Sequence, residues 1–212
     1  MTRRRRLLLI AAASATLPAC GKRKAALYPA LAGAATVLAL GDSLSHGSGA
    51  APAAAYPAQL AQLTGWNVIN AGVPGDTAAQ ALARLPALLA EHQPALVIVS
   101  VGGNDFLRRL PEADTEAGLR RIVALSRAAG AQVLLVGVPR PTLAAAVGSG
   151  LSDHPLYAKL ATELALPLHA GGWAQVLGDE KFKSDRIHAN ALGYRRFADG
   201  LATTLRAQGW LP

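Results

Sequence analysis

The chain has 212 residues, of which 51% are hydrophobic and only 5% aromatic, and its formal net charge is +8. This length favours a single domain, and the apolar content is sufficient to bury a full core. Four basic residues form one run at the N-terminus, Arg3–Arg6. The other basic residues do not cluster with aromatic ones, so the composition argues against nucleic-acid binding.

The N-terminus has the layout of a secretory signal. The arginine run precedes an apolar stretch at residues 7–18, and no acidic residue occurs before Cys20. The stretch is too short to span a bilayer, which requires about 20 residues. We therefore expect a signal peptide at 1–19, a lipid-anchor and linker segment at 20–34, and one folded domain at 35–212.

The only cysteine, Cys20, follows Leu17–Ala19, and this segment resembles a bacterial lipobox. The resemblance implies cleavage before Cys20 and acylation of its sulfur, which would hold the protein on a membrane. Gly21, and not Asp, follows the cysteine, and by resemblance to enterobacterial lipoproteins this favours the outer membrane. A competing cleavage site at Ala13–Ala15 would instead release a soluble periplasmic protein.

Apolar runs alternate with helical patterns along the rest of the chain. Strands are expected at 35–40, 66–70, 96–101, 132–138 and, as a short edge strand, 166–169. Helices are expected at 56–64, 76–92, 112–129 and 154–165, followed by a final helix capped by Asn190. Residues 139–152 are expected to form a loop or lid. Pro86 should kink or split its helix because it lacks an N–H donor. The alternation predicts a parallel sheet covered by helices on both faces.

Polar residues and glycines follow the ends of these predicted strands. Ser43 follows the first strand, Gly75 the second and Asn104 the central one, while Asp185 and His188 lie near the C-terminus. Ligands bind beyond the carboxyl ends of the strands in open α/β sheets. We therefore expect these residues to converge on one edge of the sheet.

The residue types suit acyl transfer. A serine hydroxyl needs a base to take its proton, histidine suits that task, and a carboxylate orients the imidazole. Asp185 and His188 are three residues apart, close enough to pair within one loop. A glycine N–H and an asparagine amide are suitable donors for an oxyanion. Each residue alone also fits a turn, a cap or a solvated surface, and it is their joint order that favours a catalytic site.

Gly41–Ser45 resembles the first sequence block of the GDSL, or SGNH, hydrolases. Three further segments resemble the second, third and fifth blocks of that family: Asn70–Thr77, Gly102–Asp105 and Asp185–His188. The segments Leu82–Leu89 and His92–Pro94 resemble the bacterial periplasmic thioesterase/lysophospholipase and arylesterase branch. The resemblance implies a three-layer α/β/α, flavodoxin-like sandwich with a mostly parallel sheet of roughly five strands.

The resemblance also implies roles for individual residues. Ser43 would be the nucleophile, His188 the base and Asp185 the carboxylate that orients it. The N–H of Gly75, the side chain of Asn104 and the N–H of Ser43 itself would form the oxyanion hole. Many family members have a proline directly after the histidine. This chain has Ala189 there, which costs loop stiffness but no reacting atom.

The leading hypothesis is a metal-independent serine esterase of the bacterial envelope that needs no cofactor. It would act through an acyl-Ser43 intermediate on short or medium acyl esters, aryl esters, lysophospholipids or acyl thioesters. Residues 139–183 should shape the acyl pocket. We interpret His46, His92 and His169 as non-catalytic, and no histidine pair has the spacing of the zinc helix motif. Two alternatives remain: a deacetylase acting on envelope sugars with the same triad, and a catalytically idle binding lipoprotein.

Overall fold

The computed structural model describes residues 27–140 and 150–211. The expected signal peptide, Cys20 and the first part of the linker lie outside these residues. Most of the loop expected at 139–152 also lies outside them. No helix in the described part of the chain is long and apolar enough to cross a membrane.

The centre of the fold is a parallel sheet with the order β2-β1-β3-β4-β5. Its strands are β1 (Thr36–Gly41), β2 (Asn67–Gly72), β3 (Leu96–Ser100), β4 (Gln132–Val136) and β5 (Leu168–His169). This strand order is that of flavodoxin-like folds. The predicted strands are all present, although β2 ends two residues later than expected.

Helices cover both faces of the sheet. They are α1 (Ser43–His46), α2 (Tyr56–Thr64), α3 (Ala78–His92), α4 (Gly103–Leu107), α5 (Glu112–Ala128), α6 (Pro155–Glu163), α7 (Gly172–Leu177) and α8 (Ala191–Gln208). The short helices α1, α4 and α7 were not predicted, because four to six residues are too few to show a helical period.

Pro86 was predicted to kink or split its helix, and the split does not occur. Helix α3 runs as one unit of 15 residues through Pro86. Its N-terminus is stabilised by a capping box, in which Thr77 and Gln80 each bond the other's backbone N–H. Leu85 and Leu89 bury their side chains in the core on either side of the proline. Packing of the helix therefore outweighs the single hydrogen bond that Pro86 cannot donate.

The side chains of β1 show why the domain has three layers. Val37 and Ala39 point into one buried cluster, and Leu38 and Leu40 point into the other. Alternate residues of a strand face opposite sides of the sheet. The first cluster includes side chains of α2, α7 and α8, and the second includes side chains of α3, α5 and α6. The predicted α/β/α sandwich is confirmed.

The register of the central strands aligns their carboxyl ends. Gly41 of β1 pairs with Gly72 of β2 on one side and with Ser100 of β3 on the other. A Cβ at Gly41 would collide with the Ser45 side chain, and one at Gly72 with the backbone N of His46. Glycine at both strand ends thus lets α1 pack directly against the sheet edge.

Arg84 of α3 joins the ends of β1 and β2. Its guanidinium donates to the carbonyl oxygens of Gly41, at 2.9 Å, and Ala71, at 2.6 Å. Its Nε donates to the Asp76 carboxylate at 2.8 Å. One cation therefore satisfies two strand-end carbonyls and a carboxylate on the loop that follows β2.

His169, at the end of β5, is a buried neutral histidine. Its side chain lies against Phe197, and its Nδ1 is 2.8 Å from the Thr204 hydroxyl. Its Nε2 has no hydrogen-bond partner among the described residues. Burial lowers the pKa of His169 from 6.5 to about 4, because an imidazolium there would lack solvation.

This burial predicts a loss of stability at acid pH. Below pH 6.5 the unfolded chain binds a proton at position 169 that the native state does not bind. The native state therefore loses up to about 3 kcal/mol as the pH falls from 6.5 towards 4. Urea unfolding of the wild type and of His169→Gln across this range measures the effect. The variant should lose stability less steeply, and parallel profiles would contradict this expectation.

Candidate active site

The structure brings Ser43, His188 and Asp185 into one hydrogen-bonded row. His188 Nε2 lies 3.0 Å from Ser43 Oγ, although the two residues are 145 positions apart in the sequence. His188 Nδ1 lies 2.8 Å from Asp185 Oδ2. An ionised carboxylate only accepts hydrogen bonds, so Nδ1 carries the proton and Nε2 is free to accept one from the serine. This is the arrangement that acyl transfer by a serine requires.

The loop of Asp185 and His188 is held by its own backbone. Asp185 Oδ1 accepts hydrogen bonds from the N–H groups of Ile187 and His188, both at 2.9 Å. An antiparallel bridge between Lys183 and Ala189 closes the loop at its base. These local bonds replace the stiffness that a proline after the histidine would supply.

Hydrogen bonding also keeps Asp185 ionised. Partial burial raises the pKa of this carboxyl, but the backbone N–H groups of Ile187 and His188 and the imidazole together outweigh it. The net result is a pKa below the usual 3.8. Asp185 therefore remains a negatively charged partner that orients the imidazole throughout the neutral range.

Ser43 is the first residue of α1, directly beyond the end of β1. Asp42 caps this helix, with its Oδ1 accepting from the N–H of Leu44 at 3.0 Å. The first N–H groups of a helix have no partner within the helix. The N–H of Ser43 is one of these groups, so it is available to a bound oxyanion.

Gly75 lies at the third position of a tight turn. Asp76 N donates to Val73 O at 3.1 Å, and Gly75 has a φ of 84°. With Pro74 at the second position this is a type II turn, which requires a positive φ at its third residue and therefore favours glycine there. The turn hydrogen bond does not use the N–H of Gly75, which is left available as a donor.

Asn104 occupies the second residue of α4, directly after β3. Its Nδ2 donates to the Asp76 carbonyl at 3.0 Å and faces Asp42 Oδ2 at 3.5 Å. The longer of these contacts is weak, so the N–H group that makes it is available to donate a hydrogen bond to a ligand. The predicted donors thus start from the ends of β1, β2 and β3, which the register places side by side.

Within residues 27–140 and 150–211, no group of three or more His, Cys, Asp or Glu side chains is arranged to hold a metal ion. Cys20, the residue predicted to be lipidated, lies outside this part of the chain.

A model of the GDSL-like Lipase/Acylhydrolase family matches residues 39–196. The chain belongs to this family. It is a hydrolase of ester bonds, as expected from its sequence blocks. The matched segment begins in β1 and ends in α8, so it includes Ser43, Gly75, Asn104, Asp185 and His188.

Individual proteins are similar to this GDSL hydrolase in sequence or structure over most of its length. The "Thioesterase 1/protease 1/lysophospholipase L1" of Escherichia coli (strain K12) is 40% identical over 182 residues, covering 82% of this chain and 85% of that protein. An "Arylesterase" of Vibrio mimicus is 30% identical over 182 residues, with coverages of 82% and 83%. A crystal structure of TesA is similar with a TM-score of 0.73 and 32% identity, covering 82% of this chain and 99% of that chain.

Three supporting residues of this GDSL hydrolase were not singled out as site residues from its sequence. Arg84 and Asp76 form an ion pair at the turn that contains Gly75, and Arg108 donates to Gly75 O at 2.8 Å. Arg84 lies within the segment Leu82–Leu89, which resembled the family, and this was the available signal. Arg108 directly follows α4 and had none, because a charged residue in a loop is ordinarily solvated.

Asp42, next to Ser43 in this GDSL hydrolase, is a buried carboxyl with 3% of its surface exposed. Burial raises its pKa from 3.8 to about 7. The Leu44 N–H and His188 oppose the shift, whereas the nearby carboxylates of Asp105 and Asp76 add to it. Ionisation of Asp42 therefore lowers the stability of the folded state, whereas ionisation of an exposed carboxyl does not.

A pH-dependent stability follows from this burial. The native state retains the Asp42 proton up to about pH 7, whereas the unfolded chain releases it near 3.8, so wild-type stability falls as the pH rises between these values. Asp42→Asn keeps an acceptor for Leu44 N but has no proton to lose. Its unfolding free energy relative to wild type should rise by on the order of 3 kcal/mol from pH 4 to 8. Chemical unfolding at several pH values measures this difference, and a constant difference would contradict it.

Proposed function

We propose that the protein is a serine esterase of the bacterial envelope that acts through an acyl-Ser43 intermediate. Its substrates are carboxylic esters with short or medium acyl chains or aryl groups, including lysophospholipids and acyl thioesters. The observation that supports this most directly is the 3.0 Å contact between Ser43 Oγ and His188 Nε2. The contact matters because serine is a weak nucleophile until a base takes its proton.

The reaction proceeds in two halves. His188 Nε2 takes the hydroxyl proton as Ser43 Oγ bonds to the carbonyl carbon, and the carbonyl oxygen becomes an oxyanion. The N–H groups of Ser43 and Gly75 and the amide of Asn104 donate to that oxyanion. Collapse of the intermediate expels the alcohol or thiol, which takes the proton from His188. Water then attacks the acyl-Ser43 carbonyl by the same route and releases the acid.

Each step uses only side chains and backbone N–H groups of this chain together with water. Asp185 stabilises the imidazolium that forms in each half of the reaction, because its carboxylate accepts from His188 Nδ1. We therefore propose no cofactor and no catalytic metal.

Exposed apolar side chains near the site favour substrates with apolar acyl or aryl groups. Val73 lies two residues before Gly75, Leu107 three residues after Asn104, and Ile187 directly before His188. Between 41% and 51% of the surface of each of them is exposed. A groove for acetylated sugars would be expected to present polar groups here. The names of the similar relatives, a lysophospholipase and an arylesterase, support the same substrate class.

We further propose periplasmic localisation with a lipid anchor on Cys20. The described chain starts beside the end of α8, where the N–H groups of Leu27 and Tyr28 donate to Gln208 O at 3.1 and 3.0 Å. This end of α8 lies at the amino edge of the sheet, since Trp210 Nε1 donates to the side chain of Gln132, the first residue of β4. The site lies at the carboxyl edge.

The position of this attachment determines where a lipid anchor would join the domain. The six residues between Cys20 and Leu27 reach at most about 25 Å. A lipid on Cys20 would therefore connect to the domain at the amino edge of the sheet, and Ser43 lies at the opposite edge.

Replacement of Ser43 tests the mechanism. Ser43→Ala should lower kcat on a p-nitrophenyl ester by at least about 10⁴-fold, because it removes the hydroxyl that would carry the acyl group. The same variant should not be labelled by a fluorophosphonate probe. Ser126→Ala is the matched control, since its hydroxyl bonds Ile122 O within α5 and lies far from the cleft. Wild-type turnover by folded Ser43→Ala would refute the acyl-Ser43 mechanism.

A series of acyl lengths separates the remaining candidates. The proposed esterase should hydrolyse p-nitrophenyl butyrate to octanoate with higher kcat/KM than the acetate, because longer chains bury more apolar surface. A deacetylase acting on envelope sugars should prefer the acetate and acetylated oligosaccharides. A catalytically idle binding protein should hydrolyse none of them and should not react with the fluorophosphonate.

A further inference from the structure

One exposed arginine, Arg108, contacts both Gly75 and Asn104, which are the two residues outside α1 in the proposed oxyanion hole. Arg108 follows the last residue of α4, and its backbone N–H donates to Asn104 O at 3.0 Å, which closes the final turn of the helix. Its side chain extends across the cleft, and Nη2 donates to Gly75 O at 2.8 Å. Arg108 thus contacts both residues that supply donors from outside α1.

The turn that contains Gly75 is attached to α4 at two consecutive carbonyls. Arg108 bonds the carbonyl of Gly75, and the Asn104 side chain bonds the carbonyl of Asp76. The Arg108 bond lies at the exposed edge of the cleft, and the Asn104 bond is partly buried. Both bonds hold the turn against α4, which carries the amide of Asn104.

The two attachments differ in what happens when substrate binds. The Asn104 amide must also donate to the oxyanion, so its bond to the turn competes with catalysis. Arg108 is not required to contact substrate, so its bond to Gly75 O can persist through the reaction. We propose that Arg108 is a positioning residue that holds the Gly75 N–H at the oxyanion while Asn104 donates to the same atom. The inference rests on the proposed function of this site.

The energetics predict an effect on rate more than on stability. A hydrogen bond from an exposed arginine contributes little to folding, because water competes for both partners. By contrast, complete loss of one oxyanion donor lowers kcat by about 10²- to 10³-fold. A donor that stays present but is displaced should cost less than this, and we expect about tenfold.

The experiment compares Arg108→Ala with Arg109→Ala in the full-length protein. Arg109 is the exposed neighbour and carries the same charge, so the control removes equal charge from the same edge. We expect kcat of Arg108→Ala on p-nitrophenyl butyrate to fall about tenfold with KM changed less than about twofold. Arg109→Ala should stay within about twofold of wild type in both constants. Arg108→Lys should recover part of kcat, because an ammonium can also donate to Gly75 O.

A boronic acid inhibitor, which becomes tetrahedral on Ser43, distinguishes positioning from general destabilisation. Its Ki should rise in Arg108→Ala by about the factor lost in kcat, since both depend on the oxyanion donors. The apparent pKa of the pH–rate profile should be the same in Arg108→Ala and Arg109→Ala, because both variants remove one positive charge from the same edge of the cleft. Urea unfolding of each variant verifies that it is folded.

The possible outcomes are distinct. Equal kinetics for Arg108→Ala and Arg109→Ala, or a loss confined to KM, would overturn the positioning role. So would a Ki for the boronic acid that stays at the wild-type value while kcat falls. Failure of the proposed function appears separately, as retained activity in Ser43→Ala. An inactive Ser43→Ala together with an unaffected Arg108→Ala refutes only the role of Arg108.

Discussion

The parallel register of β1, β2 and β3 is the constraint on which the site depends. Gly41, Gly72 and Ser100 pair across the sheet, so the three loops that follow begin side by side. Ser43, Gly75 and Asn104 then need only two to four further residues to reach a common point. A slip of one residue would turn every side chain of a strand to the opposite face. The buried clusters on both faces prevent such a slip, so packing of the core also positions the chemistry.

Beyond the strand ends, buried carboxyls hold the starts of the helices that follow. Asp42 caps α1, and Asp105 accepts from Ala78 N at the start of α3 while bonding Thr115 of α5. These carboxyls have raised pKa values because burial disfavours their charge. Arg84 supplies a counter-charge nearby, bonding Asp76 and two strand-end carbonyls. The residues around the site are therefore held by buried polar groups. Burying these groups is unfavourable unless each of them keeps its hydrogen bonds.

Much of the fold could be predicted because its signals are local. Strands β1, β3 and β4 are short apolar runs, and the amphipathic pattern of α5 or α8 repeats over four or more turns. The failures are of two physical kinds. Helices α1, α4 and α7 are shorter than the window in which a period can be recognised. Pro86 stays inside α3 because tertiary packing of Leu85 and Leu89 exceeds the cost of one missing hydrogen bond, and no local rule includes that packing.

The sequence by itself determined which residue types were available and in what order: a serine after β1, a glycine turn after β2, an asparagine after β3 and an Asp-X-X-His segment before the last helix. The tertiary structure decided which side chains meet. Ser43 and His188 are 145 residues apart, and their 3.0 Å contact exists only because the segment between β5 and α8 lies at the carboxyl edge of the sheet. The reach of Arg84 and Arg108 to backbone carbonyls was likewise decided by the fold. A long flexible side chain has no spacing rule, so its partner is set by which surfaces the packed core brings within its length.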